Sequence, residues 1–226
     1  MEKIGNPSSV TEGQFNEAAA HELGFWQEFV KTDRFLKGWC SNEKTPELNP
    51  MVHAFIVAEQ ERVGEGFRVL DVGSGVVSIL HGTCPNLVAV DPLGDHYATI
   101  FDYAAHGLTQ PQSASAEALP FVDEFDAVHC SNALDHTQDS FQAYGALLRA
   151  VKPDGYLIVQ GFENEGVYEK YAGFHQWNIS ITRDGALKIE DKHGNFHKYT
   201  TDKNTGTAVR VQLDSGKYWF IWILKK

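Results

Sequence analysis

The chain has 226 residues, 42% of them hydrophobic, and a formal net charge of -11, enough for one sizeable core or a core with an added subdomain. The acidic balance and the lack of a basic stripe argue against a nucleic-acid partner, whose phosphates draw affinity from cationic contacts, and leave a small molecule as the expected partner. No apolar run approaches the ~18 residues of a membrane span, and MEKIGNPSSV lacks the basic-then-apolar order of a secretory signal, so the expected location is the cytoplasm.

The first ten residues read as a mobile tail. After them Phe15, Ala19, Leu23, Trp26, Phe29 and Val30 recur at helical spacing, predicting helices over residues 12–40. Pro46 and Pro50 punctuate a link to a further helix over about 51–62, which ends before Gly64 and Gly66. From Phe67 onward short apolar runs alternate with helical patterns, the signature of parallel strands joined by crossover helices. Strands are expected at 67–71, 87–91, 111–115, 125–130 and 155–160, with helices near 76–81, 95–105, 138–151 and 165–171. Asp154-Gly155, after Lys152-Pro153, is a turn into the fifth strand.

The last third changes character. Asp184-Gly185, His193-Gly194-Asn195, Thr205-Gly206 and Ser215-Gly216 are spaced like turns between short strands, predicting a β-rich tail. In the closing KYWFIWILKK both alternating faces are apolar, so this strand is expected inside a sheet covered on both sides. Cys40, Cys84 and Cys130 are odd in number and never in a C-x-x-C spacing. That opposes a disulfide framework and a structural zinc site and reads as buried thiols.

The segment RVLDVGSGVVSIL, residues 68–80, is the most informative. A strand that ends in Asp71 and turns through Gly73 and Gly75 into a helix brings a ligand against bare backbone and a helix N-terminus. A nicotinamide site wants G-x-G-x-x-G, matched in part by Gly73, Gly75 and Ser78, and an acid about 20 residues on, which Asp91 supplies. On these features alone two cofactor classes remain near even, and an acid at a strand end such as Asp71 can also simply cap the next helix.

The rest of the constellation separates them. RVLDVGSG, LVAVDP, SASAEALPF, EFDAVHCSNALDH and LLRAVKPDGYLIVQG follow in order with short helical spacers. Together they resemble the class I S-adenosylmethionine-dependent methyltransferases, in particular the small-molecule, methyltransferase-domain-11-like branch, over residues 67–161. The resemblance implies a single α/β domain over 1–226: a three-layer, Rossmann-like fold with a seven-stranded, mostly parallel sheet. Residues 1–62 would form an N-terminal helical cover, 67–161 the cofactor-binding core, and 162–226 an acceptor-side helix and a β-rich C-terminal extension.

It also implies S-adenosylmethionine as cofactor and a set of contacts. The backbone around Gly73, Ser74 and Gly75 would approach the methionine part, with Asp71 near its amino group and Ser131 at the methionyl end. Asp91 would accept the ribose hydroxyls and Leu93 would lie against the adenine. Ala116 would meet a ring nitrogen, with Ser115 or Glu117 near the exocyclic amine. Val77 stands where the family has a third glycine, and Ser115 where it has an acid.

Methyl transfer to a hydroxyl needs alignment and removal of a proton. His136 follows the fourth strand and suits general-base work near neutrality; ordering its own loop is the alternative. By the same resemblance Asp135 beside it would either orient the imidazole or join it in holding a divalent metal, as in some relatives; two adjacent ligands are too few to assert a metal, so none is assigned and metal dependence stays open. His175 in AGFHQWNIS is the second catalytic candidate, with Trp177, Asn178, Asn132 and Trp26 as acceptor-binding candidates. Polar edges and an aromatic plane suit a hydroxyl-rich acceptor such as a sugar or nucleotide-linked metabolite, and the HQWN segment is similar to those of bacterial surface-glycan methyltransferases. Equally, Trp177 would begin a strand and pack in the core while His175 caps the loop. Phe25, Trp26 and Trp39 are lid candidates, and His21 and His53 read as structural. The expected activity is methyl transfer to oxygen of a small polar acceptor, with nitrogen next. A noncatalytic cofactor-binding module is the alternative of a different class, and the oligomeric state stays open.

Overall fold

In a computed structural model, which describes residues 12–40, 50–200 and 206–226, the apolar runs after Phe67 become five strands. These are β1 (Val69–Val72), β2 (Leu87–Asp91), β3 (Gln112–Ser113), β4 (Phe125–Ser131) and β5 (Val151–Phe162). The last third supplies β6 (Trp177–Ile181), β7 (Leu187–Asp191), β8 (Phe196–Tyr199), β9 (Gly206–Gln212) and β10 (Tyr218–Lys225). The main sheet has seven strands in the order β3-β2-β1-β4-β5-β10-β9. Neighbours from β3 to β5 pair in parallel, while β10 runs antiparallel to both β5 and β9. β6, β7 and β8 make a separate antiparallel sheet.

The helices are α1 (Glu12–Phe29), α2 (Pro50–Val63), α3 (Gly94–Tyr97), α4 (Tyr103–His106), α5 (Ser140–Ala150) and α6 (Glu165–Tyr168), with a π-helical turn over Phe35–Trp39. The tail 1–10, Pro46 and Thr205 lie outside the described residues, as do the side chains of Phe15 and Trp39.

Alternation of side chains across each strand sorts the core. On one face Leu70, Val128, Leu157 and Trp222 pack with Leu147 of α5 and with Trp177 and Ile189 of the small sheet. On the other, Val69, Ala127, Ile158 and Ile221 pack with Val52 and Ile56 of α2. The closing strand is therefore covered on both faces, as its doubly apolar pattern predicts. A third cluster joins Val30 and Phe35 to Val76, Val77, Leu93 and Tyr97, seating the N-terminal helical cover over the ends of β1 and β2. The three cysteines are free thiols, Cys84 and Cys130 buried and Cys40 only partly so. No helix among the described residues is long and apolar enough to cross a membrane.

Three expectations need correction. Residues 76–81 form bends and turns, not a helix, because Ser78 Oγ donates to Asp71 Oδ2 and accepts the Leu80 N–H, giving the backbone a local alternative to helical bonding. The predicted 95–105 helix is two short pieces, since extended Asp102 interrupts it and caps α4 by accepting the Ala105 N–H. β5 starts at Val151, four residues early, across an irregular register in which Phe125 faces Val151 and Ala127 faces Tyr156.

Trp222 ties the two sheets: its buried ring packs in the main core and its Nε1 donates to the Gly185 carbonyl at the β6–β7 turn, 3.1 Å away. Trp222→Ala should cost ~3–5 kcal/mol of unfolding free energy in chemical denaturation, and Trp222→Phe distinctly less because most of the apolar volume stays.

Candidate functional site

A cavity of about 900 Å³ opens at the carboxyl ends of β1, β2 and β4, where ligands bind in open α/β sheets. Asp71, Gly73, Ser74 and Gly75 line it from the β1 turn, Asp91 and Leu93 from the end of β2, Ser115, Ala116 and Glu117 from the next loop, and Ser131 from the end of β4. Every cofactor position expected from the sequence thus faces one space, and Asn132 and Trp26 face it too.

The glycines are required twice over. Gly73 and Gly75 have φ of +70° and +65°, the left-handed region that L side chains avoid. A Cβ on Gly73 would also stand 2.3 Å from the Ala133 Cβ, and one on Gly75 would stand 2.4 Å from the Trp26 ring. With 76–81 not helical, the loop offers a ligand bare backbone and no helix N-terminus.

Asp91 is buried and draws the loop onto β2. Its Oδ2 accepts the Gly75 N–H at 3.0 Å, and its Oδ1 accepts the Leu93 N–H at 2.9 Å and the Tyr97 hydroxyl at 3.0 Å. Burial pushes this carboxyl up from its ordinary pKa, against the pull of those donors. A carboxylate has about four lone-pair sites, so the bonds formed leave room for one further donor unless Tyr97 yields.

Asp71 sits opposite His129 in the β1–β4 register and heads a buried polar chain. His129 Nδ1 lies 2.7 Å from Asp71 Oδ1, Gln160 Nε2 lies 2.9 Å from His129 Nε2, and Trp219 Nε1 lies 3.4 Å from Gln160 Oε1. An indole N–H only donates, so Gln160 turns its oxygen to Trp219 and its NH₂ to His129. His129 Nε2 therefore accepts, and its proton sits on Nδ1 and is donated to Asp71.

Glu117 braces the loop rather than standing free: its Oε1 accepts the Gln138 and Asp139 N–H groups at 2.7 and 3.2 Å. Asn132, at φ +48°, accepts the Phe162 N–H at 3.1 Å through Oδ1.

At the far end of the cavity the two histidine segments meet. Gln176 N–H donates to the Asp135 carbonyl at 3.1 Å, and Trp177 Nε1 donates to the Thr137 carbonyl at 2.9 Å, holding 173–177 against 133–137. This brings His175 Nδ1 within 2.8 Å of Asp135 Oδ2 and 3.1 Å of His136 Nε2, with His136 Nε2 3.4 Å from Asp135 Oδ2. His136 and His175 line the cavity; Asp135 is buried behind them. Burial pushes the Asp135 carboxyl up, but His136 and His175 outweigh it and hold it below the ordinary carboxylate range. Burial likewise lowers His175, and its bond to Asp135 reverses this and raises its pKa.

Two acceptor-binding expectations are corrected. Trp177 is buried in the core with its ring edge-on to Phe141, 5.1 Å between centroids. Asn178 accepts the Val167 N–H at 2.9 Å and donates to the Tyr171 hydroxyl at 2.8 Å. Both side chains belong to the framework that holds His175 and stand off the cavity. Conversely His21, read as structural, lines the cavity with Phe25. Tyr97, Glu165 and the His129–Gln160 pair were missed; His129 lies inside an apolar strand run, and a polar residue so placed was the available signal.

Residues 70–159 match the family model described as a methyltransferase domain. No curated protein sequence matches the chain. Among solved structures it is similar to the [4+2]-cyclase SpnF, at TM-score 0.55 and 14% identity, covering 99% of both chains. It is also similar to the 1,6-didemethyltoxoflavin-N1-methyltransferase of Burkholderia thailandensis, a complex with 1,6-didemethyltoxoflavin and S-adenosylhomocysteine, at TM-score 0.51 and 13% identity, covering 99% of this chain and 93% of that one. A third is DhpI in complex with SAH, at TM-score 0.50 and 14% identity, covering 94% and 98%. At such identities the likeness is one of fold.

Gly73→Ala should lower stability by at least ~1–3 kcal/mol in thermal or urea unfolding. Adding Ala133→Gly should return the steric part of that loss and leave the backbone part, a non-additivity that a double-mutant cycle reads directly.

Proposed function

We propose that the chain is an S-adenosylmethionine-dependent methyltransferase, a single domain over 1–226 that works in the cytoplasm and methylates oxygen on a small polar acceptor. One observation carries this: the same cavity has the glycine loop, the strand-end acids and the Ser115–Glu117 loop at one end and the Asp135–His136–His175 cluster at the other. The methyltransferase-domain match over 70–159 supports it.

S-adenosylmethionine supplies, when bound, a methyl group on a sulfonium that an aligned nucleophile displaces in line. The residues present fit it. Gly73 and Gly75 put backbone on the cavity wall beside Ala133 and Trp26, and Asp71, bonded to His129 and Ser78, would present its carboxylate charge to an ammonium. Asp91 has one open lone-pair site for a ribose hydroxyl and can gain a second if the Tyr97 hydroxyl turns away. Leu93, Ser115, Ala116 and Glu117 would hold the adenine, and Ser131 the methionyl end.

The acceptor's proton goes to the histidine cluster. His136 faces the cavity, its ring stacked on Phe174 at 5.7 Å, and accepts the proton, while Asp135 holds His175 against it. A neutral amine attacks through its free lone pair and sheds a proton afterwards, whereas a hydroxyl gains from a base during attack, so the cluster supports the hydroxyl reading. Asn132, Glu169 and the two histidines among the aromatic planes of Phe162, Phe174 and Trp219 suit a sugar or nucleotide-linked metabolite. The likeness of the HQWN segment supports surface-glycan biosynthesis as its setting.

Calorimetric titration with S-adenosylmethionine and S-adenosylhomocysteine, with NAD as control, tests the cofactor: the first two should bind and NAD should not. Binding of neither sulfur compound would point to a noncatalytic module. Asp91→Ala should weaken S-adenosylmethionine binding by at least about tenfold, the loss of a charged hydrogen bond. His136→Ala and His175→Ala should cut turnover by ~10²-fold or more with cofactor affinity within about twofold; wild-type turnover in both variants would remove the cluster from the mechanism.

A further inference from the structure

The Asp135–His136–His175 cluster contains a conflict of protons. Each imidazole nitrogen either carries a proton or offers a lone pair, yet His175 Nδ1 faces Asp135 Oδ2 at 2.8 Å and His136 Nε2 at 3.1 Å, and His136 Nε2 also faces Asp135 Oδ2 at 3.4 Å. One proton on His175 Nδ1 serves the carboxylate and leaves the His136 contact without a straight bond of its own. Three donor atoms that converge in this way suit one shared cation better than a set of hydrogen bonds.

The spacing agrees. Ligand atoms ~2.1 Å from an ion at octahedral or tetrahedral angles stand ~3.0–3.4 Å from one another, close to the observed 2.8, 3.1 and 3.4 Å.

A second observation is independent of these contacts. Glu165, at the start of α6, is 7% exposed, and its Oε2 has no hydrogen-bond partner among the described residues. A buried carboxylate oxygen left unpaired is costly. Burial and the Asp135 charge push this carboxyl's pKa up, while His175, His136 and a hydrogen bond from Asn132 pull it down; the ligand atoms that lie within 4.8 Å of one another are those of Asp135, His136 and His175, without Glu165. A dication held by Asp135, His136 and His175 would offset the charges of both buried carboxylates.

We propose that Asp135, His136 and His175 form a binding site for a divalent first-row transition-metal ion, with the buried Glu165 carboxylate as an outer charge partner. Two imidazoles and one carboxylate, with no thiolate, are a borderline donor set suited to the range from manganese to zinc rather than to calcium. The ion would open on the cavity side, where His136 and His175 are partly exposed. Its use in catalysis rests on the methyltransferase reading: an acceptor hydroxyl on such an ion loses its proton more readily, the task otherwise left to His136. Its occupancy does not rest on that reading.

The test uses full-length, untagged protein, stripped with a chelator and titrated with Co²⁺ under visible absorption and with Zn²⁺ by calorimetry, alongside S-adenosylmethionine titrations of the same preparations. The expected result is one equivalent of either ion, a cobalt d–d band, and affinity lost by ~100-fold or more in His175→Ala and by ~10-fold or more in Glu165→Gln. Glu165→Gln keeps size and shape, so it reports on the site even if the histidine variant fails to fold. Absence of saturable binding, or unchanged binding in His175→Ala, overturns the site; unchanged binding in Glu165→Gln removes Glu165 from it. Cofactor binding without cobalt binding sinks the metal alone, and cobalt binding without cofactor binding sinks the cofactor reading alone.

Discussion

The pairing of Asp71 with His129 is the constraint on which the rest of the structure depends. Both side chains are almost wholly buried, Asp71 reaching only the cavity wall, and a carboxylate removed from water is tolerable only with partners on its lone pairs. His129 meets that need from β4 and Ser78 from the turn after β1. Gln160 on β5 and Trp219 on β10 extend the chain. One row of side chains thereby ties the central strands together from within and bends 76–81 away from a helix, which leaves the Gly73–Gly75 backbone on the cavity wall with Ala133 and Trp26 against it.

Much of this was legible in the sequence because it rests on local patterns. The period-two apolar runs located β2 to the residue and β4 to within one, and the doubly apolar closing strand placed itself inside the sheet. Gly185, Gly194 and Gly216, all with positive φ, turn the chain where turns were expected. The family resemblance, carried by motifs in order, singled out Gly73, Gly75, Asp91 and Ser115–Glu117, and all of these line one cavity.

What was not legible depends on partners distant in the chain. Ser78 reads as a helix residue until Asp71, seven positions earlier, captures its hydroxyl. Trp177 and Asn178 read as ligand contacts because polar and aromatic residues near a histidine look alike whether they face a cavity or a framework. Only the bonds to Thr137, Val167 and Tyr171 decide the matter. The same holds for Asp135, His136 and His175, which are about 40 residues apart in sequence and within hydrogen-bond reach in space, and for Glu165, an unremarkable acid until its burial is known. Asp135 and His136, two neighbouring ligands, are too few in sequence to assert a metal; His175 joins them from another segment.

The contact between Trp26 and Gly75 joins the stability of α1 to whatever occupies the glycine loop. The indole rests on backbone where a ligand would rest, its Nε1 donating to Glu22 one turn back at 3.0 Å. A molecule that leaves the ring in place gains a wall from it and strengthens the seating of the helix; one that displaces it loosens the helix by the same free energy, because linkage is reciprocal. The N-terminal cover is thus thermodynamically a second ligand of the loop, and the apparent affinity of the cavity carries the folding equilibrium of α1 within it.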